Sequence, residues 1–157
     1  MQRTKERNIM KVETEQLEFY TDAPWPDEHI VHEDENVVVY KDGYPVTEGH
    51  LLFVPKKRDE RRHITICFEY AYDWGVRGIR NYEYEGFNVG INQNECAGQS
   101  VLWPHVHLIP RRKGDTPNPK GGVRHVIPLK GDYKEPTVKD YEMEYDGPAV
   151  ILKKKTE

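Results

Sequence analysis

Apolar and polar positions along this chain follow two different periods, and the change from one to the other predicts its elements. Val37-Val38-Val39-Tyr40-Lys41 and His50-Leu51-Leu52-Phe53-Val54-Pro55 are short apolar, β-branched or aromatic runs closed by turn residues, which is the pattern of buried strands. A shorter run, His29-Ile30-Val31-His32-Glu33, precedes them. Asp34-Glu35-Asn36 and Asp42-Gly43-Tyr44-Pro45 supply the turns, so the three strands are expected to form an antiparallel meander. The period then lengthens. Ile64, Cys67, Phe68, Ala71, Gly75 and Ile79 recur at helical spacing and predict an amphipathic helix over about residues 62–81. Gly86-Phe87-Asn88-Val89-Gly90-Ile91-Asn92 returns to strict alternation, with Phe87, Val89 and Ile91 facing the helix. The expected fold class is therefore α+β: an antiparallel sheet of about five strands with one main helix packed on it.

The fifth strand carries the candidate chemistry. Gly98-Gln99-Ser100-Val101-Leu102-Trp103-Pro104-His105-Val106-His107-Leu108-Ile109-Pro110-Arg111 reads as a tight turn running into a buried strand that ends at Pro110. Alternation puts Trp103, His105, His107 and Ile109 on one face, and Val106 and Leu108 on the other. The two imidazoles then sit side by side, with Cα atoms about 6.6–7 Å apart. Beside a donor-bearing turn, such a pair can hold a metal, hold a phosphate, or be two satisfied strand histidines.

Beyond Arg111, the proline and glycine of residues 112–122 exclude a regular element, and Val123 to Leu129 is expected to be extended. Tyr141 to Tyr145 and Ala149 to Leu152 flank Asp146-Gly147 in the pattern of a hairpin. Three segments result: residues 1–24, charged and loose over the first eight or so; a domain over 25–130; and an extension over 131–157.

Composition narrows the function. A length of 157 residues suits one domain with a real core. The net charge of -4 argues against an electrostatic nucleic-acid binder, so any grip on phosphate must be local. Arg111, Arg112, Lys113, Lys120 and Arg124 cluster after the strand and are more simply a solvated loop than a polyphosphate site. Cys67 and Cys96 are too few and too far apart for a disulfide framework or a paired-cysteine zinc site. No apolar run is long enough to span a bilayer, and the N-terminus is polar. A cytoplasmic protein without a membrane anchor is expected.

Three segments in order resemble the histidine-triad nucleotide hydrolases and transferases. The first is Asp42-Gly43-Tyr44-Pro45-Val46-Thr47-Glu48-Gly49-His50-Leu51-Leu52-Phe53-Val54-Pro55-Lys56. The second is Gly86 to Asn92, and the third is Ala97-Gly98-Gln99-Ser100-Val101 with His105-Val106-His107-Leu108-Ile109-Pro110-Arg111. The family signature is His-x-His-x-His followed by two apolar residues. On that alignment Trp103 occupies the first histidine position, His105 the central, nucleophilic one and His107 the last. Some members hold zinc around an N-terminal pair of cysteines that this chain does not have, so no metal is carried over.

The resemblance implies a nucleotidyl hydrolase working through a covalent nucleotidyl-histidine on His105. In the family, the N–H of the nucleophile bonds a main-chain carbonyl near the first triad position, and Trp103 keeps that carbonyl. His107 would donate to a phosphate or leaving-group oxygen. Gln99, Ser100 and Asn92 would donate to the phosphate, and Asp42 would accept from ribose hydroxyls. Each also has a plain role: turn chemistry for Gln99, Ser100 and Asp42, and a strand-end cap for Asn92. His50 is given a supporting role, and Trp103 walls the channel, stacks on a base or fills core. No cofactor is required, though a divalent cation can accompany a polyphosphate substrate. The implied partners are a small-molecule nucleotide and a second copy of the chain, in a homodimer with the two sheets side by side. Two other readings stay open: zinc held by His105, His107 and His50, and a nucleotide-binding module with no turnover.

Overall fold

A computed structural model describes residues 17–58, 61–128, 130–134, 141–146 and 149–154. It divides into a first unit ending at Asp115 and a second beginning at Thr116.

In the first unit, β1 (Ile30–Glu33), β2 (Val37–Lys41) and β3 (Leu51–Pro55) form the expected meander. The helix α1 (Arg61–Arg80) follows, then β4 (Gly86–Ile91) and β5 (Val106–Arg111). All neighbours pair antiparallel in the order β1-β2-β3-β5-β4, so the last strand inserts between β3 and β4. Regular pairing in β5 begins only after Pro104, which has no N–H to give the ladder. Trp103 and His105 therefore belong to the lead-in, and His107 to the strand proper.

Both faces of the central strands are covered, which explains why β2 and β3 read as nearly unbroken apolar runs. Val37, Val39, Phe53, Val106 and Leu108 pack with Cys67 and Ala71 of α1. Val38, Tyr40, Leu52, Val54 and Trp103 form a second cluster, with Leu17, Tyr20 and Trp25 of the N-terminal segment laid against it. Each large side chain taken fully out of water stabilises the fold by about 1.5–3 kcal/mol. The histidine face is thus the face away from the helix.

The helix meets the sheet through a narrower stripe than its periodicity suggested. Cys67, Ala71, Gly75 and Gly78 are buried, whereas Phe68 and Ile79, expected on the inner face, are each 37% exposed. The small residues explain it. A Cβ on Gly75 would lie 2.6 Å from the Phe87 ring, and one on Gly78 would lie 2.1 Å from the Tyr84 ring. The helix sits so close that rings from the chain beyond it fill the space a side chain would take. Asp34 ties the other end: its carboxylate caps the N–H groups of Asn36 and Val37 and accepts from the Tyr70 hydroxyl at 2.6 Å.

In the second unit, Gly122–Val126 forms a 3-10 turn rather than the extended segment expected for Val123 to Leu129, and Leu129 lies outside the described residues. Gly121 at φ 94° and Gly122 at φ 50° bend the chain in a way a strand cannot follow. The His125 ring then closes the bend by donating to the Lys120 carbonyl at 2.7 Å. The expected hairpin is present as β6 (Tyr141–Asp146) and β7 (Ala149–Lys154), antiparallel, with Glu144 paired to Lys153. Gly147 of its turn and the first sixteen residues of the chain lie outside the described residues.

Replacing Gly75 by alanine should lower stability by about 1–2 kcal/mol. The displaced Phe87 ring costs about 1–3 kcal/mol and outweighs the gain of about 1 kcal/mol in helix propensity. Urea unfolding with an unchanged or raised midpoint would contradict the close approach.

Candidate active site

His105 follows Pro104 on the final bend before β5, and its backbone is placed by the Trp103 side chain. The Trp103 indole N–H donates to the Pro55 carbonyl at 2.8 Å inside the sheet's second cluster. That contact anchors the lead-in to the end of β3. The Trp103 carbonyl then accepts from Nδ1 of His105 at 2.8 Å. A carbonyl only accepts, so Nδ1 carries the proton and Nε2 of a neutral His105 keeps its lone pair. Burial holds the His105 pKa below its ordinary value, against the opposing pull of that hydrogen bond and of Asp42. Trp25 packs its ring edge-on to the imidazole, with centroids 5.1 Å apart.

His107 lies one pleat further on the same face, its ring centroid 5.0 Å from that of His105. Its Nδ1 is 2.9 Å from Nε2 of His50, the residue just before β3. The other end of His50 faces the main chain, where the Val46 N–H donates to Nδ1 at 3.2 Å. Asp42 completes the group, with Oδ2 3.4 Å from His50 Nε2. Its second oxygen accepts from the Tyr44 N–H at 2.7 Å. Burial first, then the neighbouring His105 and His50, push the His107 pKa down to about 4. Burial also lowers that of His50, although Asp42 pulls the other way.

These contacts fix the proton positions. His50 meets a donor at Nδ1 and a carboxylate at Nε2, so its proton is on Nε2. That N–H then donates to His107 Nδ1, which leaves the His107 proton on Nε2. Among the described residues, Nε2 of His107 is buried and meets no hydrogen-bond partner. A buried N–H without an acceptor costs about 1–3 kcal/mol, so this nitrogen is the free donor of the cluster.

The other expected residues are placed less uniformly. Asn92 falls one residue beyond β4; Ile91 pairs with Val106, so the register brings Asn92 level with His105 on the histidine face. Gln99 is occupied in its own loop: its carbonyl accepts from the Asn94 N–H at 2.8 Å and its amide donates to Val101 at 3.0 Å. Ser100 is exposed next to it. Arg111 is tied to Asp115 and Asn88, and Arg112 donates to the Glu48 carbonyl, so both hold structure. The larger surface clefts are lined by Trp74, Arg77 and their neighbours and contain none of the three histidines. Sequence reading did not anticipate Trp25 beside His105, nor Arg58 stacked over the Trp103 ring at 5.3 Å. An aromatic residue between two prolines was the one available signal for the first.

The HIT domain model matches residues 25–114, which takes in Asp42, His50, Trp103, His105 and His107. The chain belongs to the HIT domain family. An uncharacterized HIT-like protein of Methanocaldococcus jannaschii is 36% identical over 91 residues, 55% of this chain and 70% of its own length. The adenylylsulfatase HINT1 of Arabidopsis thaliana is 34% identical over 96 residues, 56% of this chain and 65% of that protein. In fold, the chain is similar to a zinc-bound histidine triad family protein from Mycobacterium smegmatis. The TM-score is 0.54 at 28% identity, covering 61% of this chain and 72% of the other. Among the described residues, no helix of this HIT protein is long and apolar enough to cross a membrane.

The zinc-bound neighbour raises the question of a metal here. Among the described residues, Asp42, His50 and His107 are the group whose ligand atoms converge, all within 4.8 Å of one another. The three groups converge, but the proton positions oppose an ion. A metal-bound imidazole gives its lone pair to the ion and its other N–H to an acceptor. His50 has this reversed: its outer nitrogen faces a main-chain N–H, so the nitrogen turned toward the cluster is the protonated one. The residues therefore do not fit a metal.

Because His50, His105 and His107 are all neutral in the fold and titrate lower than free histidine, the unfolded chain binds more protons over this range. Stability should be full above pH about 6.5 and fall as pH drops toward 4. Denaturant midpoints measured across that range test this, and a His107→Gln variant should flatten part of the slope. A midpoint that rises on acidification would contradict the neutral cluster.

Proposed function

We propose that the protein is a nucleotidyl hydrolase acting on a nucleoside phosphate derivative, such as a phosphoramidate, an adenylate or a dinucleoside polyphosphate. The observation that carries the reading is the 2.8 Å bond between His105 Nδ1 and the Trp103 carbonyl, which leaves Nε2 as a nucleophile. On this reading Trp103 stands at the first triad position, and only its main chain is needed there.

Nε2 of His105 attacks the α-phosphorus, a nitrogen–phosphorus bond forms, and the bond to the leaving group breaks with its electron pair. Water then attacks the same phosphorus. The electron pair returns to Nε2, and a nucleoside monophosphate leaves. His107 Nε2–H binds the non-bridging or leaving-group oxygen, where it finds the partner it otherwise does not have. Asn92, Ser100 and nearby main-chain N–H groups hold the phosphate, and Gln99 keeps their loop in shape. Asp42 accepts from ribose through lone pairs its two protein contacts leave free. No step calls for a cofactor. The adenylylsulfatase name of the Arabidopsis relative is in keeping with nucleotidyl chemistry on an adenylate. A homodimer would use the outer side of β4, which is a sheet edge. A cytoplasmic setting suits the unpaired Cys67 and Cys96.

His105→Ala should lose at least about 10³-fold in turnover and still bind nucleoside monophosphate. A panel of the three substrate types, assayed on both proteins, tests this, with intact-mass detection of a nucleotidyl adduct on the wild type. Retained turnover in the variant would remove His105 as nucleophile, and binding without turnover by the wild type would favour a pure binding module. Trp103→Phe keeps the carbonyl but leaves Pro55 without its donor. It should destabilise the fold by about 1–3 kcal/mol with kcat held within about tenfold. A loss of rate as large as that of His105→Ala would show that the indole itself takes part.

A further inference from the structure

The chain of donors behind His107 begins at a group that cannot change its role. Val46 N–H is a main-chain amide, always a donor, and it points at His50 Nδ1 at 3.2 Å. Asp42, acceptor-only as a carboxylate, lies on the far side of the same ring, 3.4 Å from Nε2. Two fixed groups of opposite character therefore bracket one imidazole. The third contact, 2.9 Å from His50 Nε2 to His107 Nδ1, passes that polarity on.

We propose that His50 is a positioning residue: with the Val46 amide and Asp42 it fixes the proton of His107 on Nε2, and the same polarity keeps metal ions out of the Asp42–His50–His107 cluster. A consequence follows for the chemistry. If His107 gave up its Nε2 proton, His50 would have to resupply Nδ1, and no proton could come to His50 from an amide. His107 is therefore a hydrogen-bond donor to developing charge, and the leaving group takes its proton from solvent. What the Nε2–H serves rests on the nucleotidyl reading above; the polarity itself does not.

Nitrogen-15 NMR of the full chain at neutral pH reads the ring nitrogens directly, with single histidine variants to assign them. The wild type should show Nε2–H for His50 and His107 and Nδ1–H for His105, and stoichiometric zinc chloride should leave all three unchanged. In His50→Leu the His107 ring should lose its single tautomer, with kcat falling about 10²-fold at nearly constant KM. His50→Gln, whose amide can still donate to His107 Nδ1, should restore the Nε2–H signature and most of the rate. A wild-type His107 protonated on Nδ1, or zinc that displaces the His50 Nε2 proton, would overturn the proposal. So would a His50→Leu protein in which the His107 tautomer stays fixed. Rings that read as expected in a protein that turns over no nucleotide would support the polarity and reject the hydrolase reading instead.

Discussion

A single hydrogen bond, from His105 Nδ1 to the carbonyl two residues earlier, sets which nitrogen of that ring keeps its lone pair. An imidazole has two nitrogens, and it attacks phosphorus only if the one facing the substrate keeps its lone pair. The main chain makes that choice here, through a carbonyl that cannot donate. Side-chain identity at position 103 is then free to serve the fold. Trp103 packs among Val38, Tyr40, Leu52 and Val54 and hangs on the Pro55 carbonyl. His105 is held by the same contacts that close the sheet's second face.

The rest of the architecture covers both faces of the sheet, by different means. The small stripe on α1 lets Phe87 and Tyr84 seal the helix side tightly. On the histidine side, Leu17, Tyr20 and Trp25 from the N-terminal segment pack against the second cluster, and His50 and His105 are buried. Burial there has a direct electrical effect. It keeps three imidazoles uncharged, which is the form that can attack, accept and donate at fixed atoms.

The strands and the helix were legible because their residues carry local signals: β-branched runs, turn dipeptides, and one switch of period. The pairing of His105 with His107 was legible for the same reason, since alternation along one strand is a local rule. The convergence of Asp42, His50 and His107 was not, because it joins a turn, a strand start and a strand 57 residues away in sequence. Asp42 reads as a turn residue and does form that turn, yet its other oxygen lies beside His50. Gln99 reads equally as a phosphate donor or as turn chemistry, and its side chain is engaged within its own loop. Phe68 and Ile79 fit the helical period and still keep more than a third of their surface in water, because how close a helix sits depends on what packs beneath it. Val123 follows two glycines whose left-handed backbone turns the chain before any extended run can start.

The chain's HIT domain relatives include an adenylylsulfatase and a zinc-bound protein. A carbonyl at His105 and an amide behind His50 set opposite ends of the site, one to expose a lone pair and one to expose an N–H. A crystal structure with a bound nucleoside monophosphate tests that pairing most directly. Phosphorus is expected about 3–3.5 Å from His105 Nε2, with a phosphate oxygen accepting from His107 Nε2. A phosphate lodged away from the two rings, or reached by them only through an intervening metal ion, would contradict it.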